Sequence, residues 1–563
     1  MKTNKKSRTW GVVDIENQRN GTLIAIGSAG QGDTNPTYHS DWGSWLEYAN
    51  DRHINRWFAH NGGNWDYLSL LDWLDAYATN IEPSGIVVGG RLISLSIPVN
   101  DGFSIELADS FCIFHSKLDD IARVFTGRGK EETDGRMAWD LWENDRQLFW
   151  RYLGRDVMAL RESLKGFTKI YEQVGGEIKD LPPLTISSAA MGLWKSAYGG
   201  DSVDFAQEDN VKLISRQAYH GGRVELFNAG VHEDVKVFDV NSLYPYVMRN
   251  NNFPTSGSIK RVNRFDKHNL AGIYAINVLS RSPGINVFQE TMFPQDNIVA
   301  CGPEIARALA VGYRLEVKEG IVFTKTAPIF RDYVDKLYSL RLVNPGKTPI
   351  NEVCKRLMNH LYGKFGEKED GECIKKIVDH AWFANPENNG KATPIGMSDV
   401  WFTVKTHHLV RHSFPAIAAL VTSYARAYLH SLMPSGTIYC DTDSIHVAGK
   451  TLPTGNGLGK LKLESVGKGI YIGRKLYMIQ PYQLGSAPIL KAKGIGRNTD
   501  NQLTLEQFQW LSDNPGKTIR AEYRTAATLR EALGRKMAPC SIPLVMNRHR
   551  RIRRIPDQSN PIR

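Results

Sequence analysis

The sequence predicts a multidomain protein of mixed α/β and α+β class, and three observations carry that expectation. The chain has 563 residues, enough for about three or four domains. Two strand-like runs, Trp10–Val13 and Val235–Phe238, each lead directly into a carboxylate, Asp14 and Asp239; a half-buried strand ending this way presents its acid at the sheet's end. From Pro349 to Phe365 the residues Val353, Leu357, Met358, Leu361 and Tyr362 recur at helical spacing, with breaks expected at Gly363 and Gly366.

Taken in order, the elements place acids, cations and rings on shared faces. Asp14 and Glu16 alternate along the first strand and so share a face. Asn61-Gly62-Gly63-Asn64-Trp65-Asp66 follows the apolar Trp57-Phe58-Ala59, and Tyr152 and Asp156 fall one turn apart on a predicted helix. The alternating Val235-Lys236-Val237-Phe238 places Asp239 at the end of a second strand. On the helix 349–365, Lys355, Asn359 and Tyr362 fall at i, i+4 and i+7, one stripe that suits a triphosphate and a base. Tyr439 to Val447 reads as two short apolar strands joined at Asp441-Thr442-Asp443, a hairpin tip with both acids on one side. An isolated Asp-x-Asp is usually a polar turn, and an isolated Gly-Gly or Lys-x-Tyr says little. The order of the segments carries the meaning.

Phe238-Asp239-Val240-Asn241-Ser242-Leu243-Tyr244-Pro245, Lys355 to Gly363, and Tyr439-Cys440-Asp441-Thr442-Asp443-Ser444 resemble motifs A, B and C of family B DNA polymerases. The wording of the first is most similar to the protein-primed branch found in bacteriophages. The resemblance covers nearly the whole chain and implies a right-hand polymerase of palm, fingers and thumb. It implies that Asp239 and Asp443 hold two metal ions, with Asp441 a supporting carboxylate. Tyr244 would be the steric gate against a 2′ hydroxyl, and Lys355, Asn359, Tyr362 and Arg341 would bind the nucleotide. His360 stands where the family has serine. Tyr219-His220-Gly221-Gly222 resembles the Tyr-x-Gly-Gly element that touches template, and Lys475-Leu476-Tyr477 the Lys-x-Tyr element that steadies the primer end. Lys491-Ala492-Lys493-Gly494 adds charge for phosphate.

The N-terminal trio resembles the three motifs of the DnaQ-like, RNase H-like 3′–5′ exonuclease. That likeness implies that Asp14, Glu16, Asp66 and Asp156 bind two metals that activate water against the terminal phosphodiester, with Tyr152 helping to place it. Trp65 stands where Phe or Tyr is usual. Asp109-Ser110-Phe111 resembles the Ser/Thr-Leu element that binds a frayed primer strand, with Phe111 in place of Leu; Asn61 would contact the same strand. Lys130 is a candidate for the companion lysine of such sites.

The implied organisation is an exonuclease at 1–185, closed by Pro182-Pro183, a palm at 186–255 and 415–500, and fingers at 330–366. Two insertions, 256–329 and 367–414, match in position those that mark the protein-primed branch, where they contact the priming protein and encircle template. A thumb and basic tail follow at 501–563, including Arg548-His549-Arg550-Arg551-Ile552-Arg553-Arg554. Hydrophobic residues make up 42% of the chain, and Lys plus Arg number 70 against 59 Asp plus Glu, a balance suited to a polyanion. The six cysteines have no metal-ligand spacing. The polar N-terminus has no signal-peptide core and no run is long enough to span a membrane, so a cytoplasmic monomer is expected. Partners would be template and primer DNA, dNTPs and a terminal protein, with two Mg²⁺ per site or Mn²⁺ in their place. The alternatives are a nucleic-acid-primed or primer-independent polymerase, a nuclease acting alone, and a catalytically silent DNA-binding scaffold; the retention of all six proposed metal-binding acids argues against the last.

Overall fold

The computed structural model describes residues 9–551 except 20, 65, 89–90, 101, 179–180, 290–291, 293–297, 369, 377–384, 386–387, 389–391, 395–400, 408–409, 411, 493–503, 515–517, 524–539 and 548–549. The described residues of 9–201 and 335–413 form one compact unit, and those of 202–334, 414–523 and 540–551 form another.

The first unit is built on a ten-stranded sheet. At its centre Trp10–Asn17, Arg56–Ala59 and Phe103–Asp109 run parallel. Parallel neighbours need crossover connections, and the helices Trp42–Asp51 and Asp66–Tyr77 lie within the two crossovers here. Antiparallel strands extend both sides: Leu23–Gly30 and Thr37–His39 on one, Arg91–Asn100 and Ser84–Val88 on the other. Side chains alternate between the sheet's faces. Val13 and Ile26 point into a core with Trp42, Trp45, Trp57, Leu70 and Leu95, so Asp14, Glu16 and Gly27 point the opposite way, where the helix Arg146–Gln173 crosses. That helix comes close because Gly27 lacks a side chain: a Cβ there would stand 2.9 Å from Val157 and 3.0 Å from Leu153.

Strands from the 367–414 segment join the same sheet. Asp370–Lys376 pairs with Ser84–Val88, setting Glu372 and Cys373 against Val87 and Ile86, and Trp401–His407 pairs in turn with Asp370–Lys376. Ile374 and Trp401 enter the common core, and the Trp401 indole N–H donates to the Leu71 carbonyl at 3.1 Å. The helix Pro349–Phe365 starts at an N-cap, Thr348, whose side chain accepts from the Asn351 N–H, with Pro349 in the first turn. It runs through Gly363 instead of breaking there and ends at Gly366. Its apolar face packs on the helix Ile186–Ala197, with the Trp194 and Phe365 rings edge to face at 5.2 Å.

The second unit centres on a seven-stranded antiparallel sheet in the order Ile489–Ala492, Leu476–Pro481, Leu461–Gly473, Gly230–Val240, Ser444–Ala448, Thr437–Asp441, Val224–Leu226. The helix Pro415–Leu432 is buried from Pro415 through Ser423 and packs against the helices Asp209–Ala218, Leu243–Asn250 and Gly302–Ala310. A four-stranded sheet, Ile259–Val262, Arg314–Phe323, Gly272–Ser280 and Ile298–Cys301, occupies most of the 256–329 segment around Tyr274, Ile276, Phe288 and Ile305. The helix Leu505–Asp513 buries Phe508 and Leu511 against Ile470 and Met478. Lys475 is not a strand residue; it sits in the turn after Gly473 with φ 55°. Of the basic C-terminal run only Arg550–Arg551 lies within the described residues, as a short strand; Lys493 and Gly494 lie outside them.

Candidate active sites

In the first unit, carboxylate oxygens of Asp14, Glu16 and Asp156 lie within 4.8 Å of one another. Two come from alternate positions of the strand Trp10–Asn17 and one from the helix that Gly27 admits. Asp66 begins the next helix and its Oδ1 accepts the Ile15 N–H at 3.2 Å, which fixes it beside the strand. Burial, with Asp156 next, pushes Glu16 up to about 8, and burial pushes Asp66 up to about 7 against the pull of backbone N–H groups. Asp14 is raised well above the carboxylate range by burial and then by Asp156. Four acids packed this closely, Asp66 and Asp156 buried and Asp14 and Glu16 half-buried, cannot all ionise without added positive charge. Asp156 Oδ1 is buried without a hydrogen-bond partner, and an all-oxygen set of this kind fits hard divalent cations. Lys130 pairs with Asp156 through its Nζ and donates to the Tyr152 hydroxyl at 3.2 Å. Trp65 lies outside the described residues.

Beside this cluster, Asp109 ends its strand fully buried and holds two loops together. It accepts from the N–H groups of Asn61 and Phe111, each at 2.9 Å, and of Gly63 at 3.4 Å. Arg91 pairs with it at 2.6 Å, donates to Asn61 Oδ1 at 2.9 Å, and lies 4.4 Å from the Phe111 ring centroid. Asn61 has φ 65°, and at Gly63 a Cβ would be 1.9 Å from the Leu92 carbonyl oxygen. Ser110, expected to meet DNA, is fully buried; its hydroxyl sits 3.0 Å from His60 Nδ1 and 3.1 Å from the Ala59 carbonyl. It shapes the segment instead of facing solvent. Neither Arg91 nor the anchoring use of Asp109 stood out in the sequence. The available signal was an acid at the end of an apolar strand, which needs donors when buried.

In the second unit, backbone pairing assembles the other acids. Asp239 lies opposite Ser444 on one side and Lys462 on the other. The Val240 N–H donates to the Asp443 carbonyl at 2.8 Å, so Asp443, in the turn just before the strand Ser444–Ala448, is held beside the end of the strand that carries Asp239, and both acids are half-buried. The turn between Asp441 and Asp443 closes because Thr442 takes φ 64° and donates its N–H to the Arg223 carbonyl at 2.7 Å. Asp441 is engaged elsewhere: Lys475 Nζ reaches both its oxygens at 2.7 Å, the Tyr439 hydroxyl donates at 3.3 Å and the Thr442 hydroxyl at 3.1 Å. Gly222 is pressed against this turn, since a Cβ there would lie 2.8 Å from Thr442 and 2.9 Å from the Tyr244 hydroxyl. Below the hairpin the rings of Tyr439, His446, Tyr471 and Tyr477 pack together. Tyr477, expected at the primer, is thus mostly buried in this floor.

Two buried ion pairs brace the Tyr219–Gly222 loop and its continuation. Arg426 meets Glu304 at 2.8 and 2.6 Å and donates to the carbonyls of His220 and Gly221 at 2.6 and 2.9 Å. Arg223 meets Glu225 at 3.0 and 2.6 Å and donates to the carbonyls of Asn286 and Val287. Sequence reading missed Arg426 and Glu304, which lie 122 residues apart and share no local pattern.

On the helix Pro349–Phe365, Lys355 is exposed and Asn359 and Tyr362 are half-buried along the expected stripe. Arg341 donates from Nε to Asn351 Oδ1 at 3.0 Å, which ties it to the first turn of that helix. His360 lies off the stripe, its Nδ1–H bonded to the Arg356 carbonyl at 2.9 Å.

Known proteins give the arrangement a context. A probable DNA polymerase of Neurospora intermedia is 27% identical over 444 residues, 69% of this chain and 44% of that protein; the chain thus spans under half of that relative's length. The DNA-directed DNA polymerase of Enterobacteria phage PRD1 is 25% identical over 452 residues, 77% of this chain and 75% of the phage protein. The structure of Phi29 DNA polymerase complexed with primer-template DNA and incoming nucleotide superposes with TM-score 0.72 at 17% identity, covering 93% of this chain and 98% of that one. The fold is accordingly the DnaQ/RNase H-like and right-hand fold of that structure. Residues 128–449, more than half of the chain, match the family of DNA polymerase type B, organellar and viral, and the chain belongs to that family.

Proposed function

We propose that the protein is a DNA-directed DNA polymerase with a 3′–5′ exonuclease, primed by the hydroxyl of a terminal protein on a linear genome. The observation that carries this reading is the pair of separate carboxylate sets, Asp239, Asp441 and Asp443 at a strand end and hairpin turn of one sheet, and Asp14, Glu16, Asp66 and Asp156 on a strand of the other sheet and on two helices beside it. The Phi29 enzyme, of the same fold, was captured with primer-template DNA and nucleotide, and these are the partners assigned here.

Divalent ions, two to each cluster and magnesium or manganese by the all-oxygen donor set, would lower the pKa of the attacking hydroxyl or water and neutralise phosphate charge. Asp239 and Asp443 hold them for synthesis. Asp441, pinned by Lys475, supplies charge without leaving its place, and Lys475 steadies the primer end above the Tyr439/Tyr477 floor. Tyr244 lies under the incoming sugar. Lys355 and Arg341 meet the triphosphate, while Asn359 and Tyr362 meet the rest of the nucleotide. Tyr219, Gly221 and Gly222 guide the template. For excision, Asp14, Glu16, Asp66 and Asp156 hold the ions, Tyr152 and Lys130 orient the water, and Asn61 and Phe111 grip the single strand, with Ser110 holding their segment in shape. Protein priming rests on the resemblance to that branch and on the two inserted segments at 256–329 and 367–414. Transfer of a labelled nucleotide to protein without an oligonucleotide primer would support it; extension of oligonucleotides alone would favour the nucleic-acid-primed reading.

The test of two sites is separation. Asp239→Ala or Asp443→Ala should cut primer extension at least ~1000-fold, about 4 kcal/mol, while primer shortening persists. Asp14→Ala with Asp66→Ala should do the reverse. Loss of both activities in either folded variant contradicts the reading.

A further inference from the structure

His360 departs from the family's serine, and its surroundings give it other work. Its ring stacks on His115, centroids 5.1 Å apart and planes 18° from parallel. One turn earlier, Arg356 donates to the Ser116 hydroxyl at 2.9 Å. His115 and Ser116 close the short helix Phe111–Phe114: His115 is its left-handed C-cap, φ 48°, and returns its N–H to the Phe111 carbonyl at 2.7 Å. The His115 ring touches the Phe111 ring at 5.6 Å. The opposite side of the segment is clamped by His60, which reaches the Ser110 hydroxyl through Nδ1 and donates from Nε2 to the Ser116 carbonyl at 2.9 Å.

We infer that His360 is a positioning residue for single-strand binding at the nuclease cluster, bracing Phe111 through His115 from the helix that carries Lys355 and Asn359. This rests on the exonuclease reading given above. Three features support it. The Nδ1–H of His360 is committed to the Arg356 carbonyl, which fixes the ring plane for stacking. Desolvation by contact with the neighbouring rings, followed by His360 and Arg356, lowers His115 although the residue stays partly exposed, and His360 is lowered as well, so both directions favour an uncharged stack near neutral pH. The contact is doubled by Arg356 and Ser116, so the segment has a two-point seat on this helix. A serine at 360 could not reach His115 with a ring face, and the brace would be absent. The helix that offers the nucleotide stripe on one side therefore supports the frayed-strand grip on another.

The experiment measures excision of a 5′-labelled single-stranded oligonucleotide in Mg²⁺ by the full chain, alongside dNTP-dependent extension of a primer-template. His360→Ala and His115→Ala should each raise the excision KM about three- to tenfold, the size of one lost ring contact, with kcat unchanged. The double variant should be no worse than the poorer single one. His360→Phe, which keeps a stacking ring, should restore the parental KM, and the KM for dNTP should not move in any of them. A raised dNTP KM with parental excision in His360→Ala would overturn the inference and return the residue to the nucleotide stripe. Loss of both activities without rescue by His360→Phe would overturn it as well. Parent protein that extends but excises nothing would defeat the exonuclease reading and this inference together; parent that excises normally beside unaffected variants would defeat this inference alone.

Discussion

Asp109 shows how much one buried carboxylate can organise. It takes three backbone N–H groups and a guanidinium, and through them sets Asn61 and Phe111 relative to one another. Removing Arg91 would leave the acid with its backbone donors but without its counter-charge. Arg91→Ala should therefore destabilise the protein by about 1–3 kcal/mol and raise the excision KM; urea unfolding together with excision kinetics checks both, and an unchanged KM would detach Arg91 from strand binding. At the other cluster, Tyr244→Ala should raise ribonucleotide relative to deoxyribonucleotide incorporation at least ~10-fold, about 1.4 kcal/mol of lost discrimination. A constant ratio in competition assays would place the steric gate elsewhere. The acids were legible in the sequence because each sits at a fixed offset from a strand or helix signal. Arg91, Arg426 and Glu304 were not, because a cation meets its buried partner across tens or hundreds of residues and neither side carries a local pattern.

At the scale of elements, the strand ending at Asp239, the Asp441–Asp443 hairpin and the helix 349–365 all form where periodicity and turn chemistry place them. Two details went otherwise for physical reasons. Gly363 has nothing within 4 Å of where its Cβ would be and stays helical, since one glycine costs only about 1 kcal/mol against alanine and Phe365 beyond it packs on Trp194. Lys475 occupies a left-handed turn, not a strand, and this aims its ammonium at Asp441. The hairpin also rests on His446, which burial pushes down to about 3 from the usual 6.5 and whose Nδ1 lies 2.7 Å from the Tyr471 hydroxyl. Between those values the unfolded histidine takes a proton that the folded one refuses. Its contribution is thus intact above pH 6.5 and is lost as pH falls toward 3, by up to about 1.4 kcal/mol per pH unit. Urea midpoints taken from pH 7 to 5 should fall for the parent relative to His446→Gln, because the raised Glu16 and Asp66 act in the opposite direction in both proteins and cancel in the comparison. The same pH dependence in both proteins would assign it to other groups.

At the scale of the molecule, the sequence reading expected two insertions, 256–329 and 367–414, but could not say what those segments pair with. Sheet partners are chosen by register and burial across long separations, and nothing local shows that Ile374 and Trp401 enter the core beneath Trp57 and Leu71. The proposed division of labour rests on two acidic sets with different neighbours, which the sequence already set apart. An excess of eleven cations, 70 against 59, suits a polyanionic substrate shared by both. The most direct test is one gel: a labelled, 3′-recessed primer-template incubated with the purified protein and Mg²⁺, with and without dNTPs. Extension with dNTPs and shortening without them is the expected result. Folded protein that binds the DNA yet neither extends nor shortens it would contradict the account and leave a silent scaffold in its place.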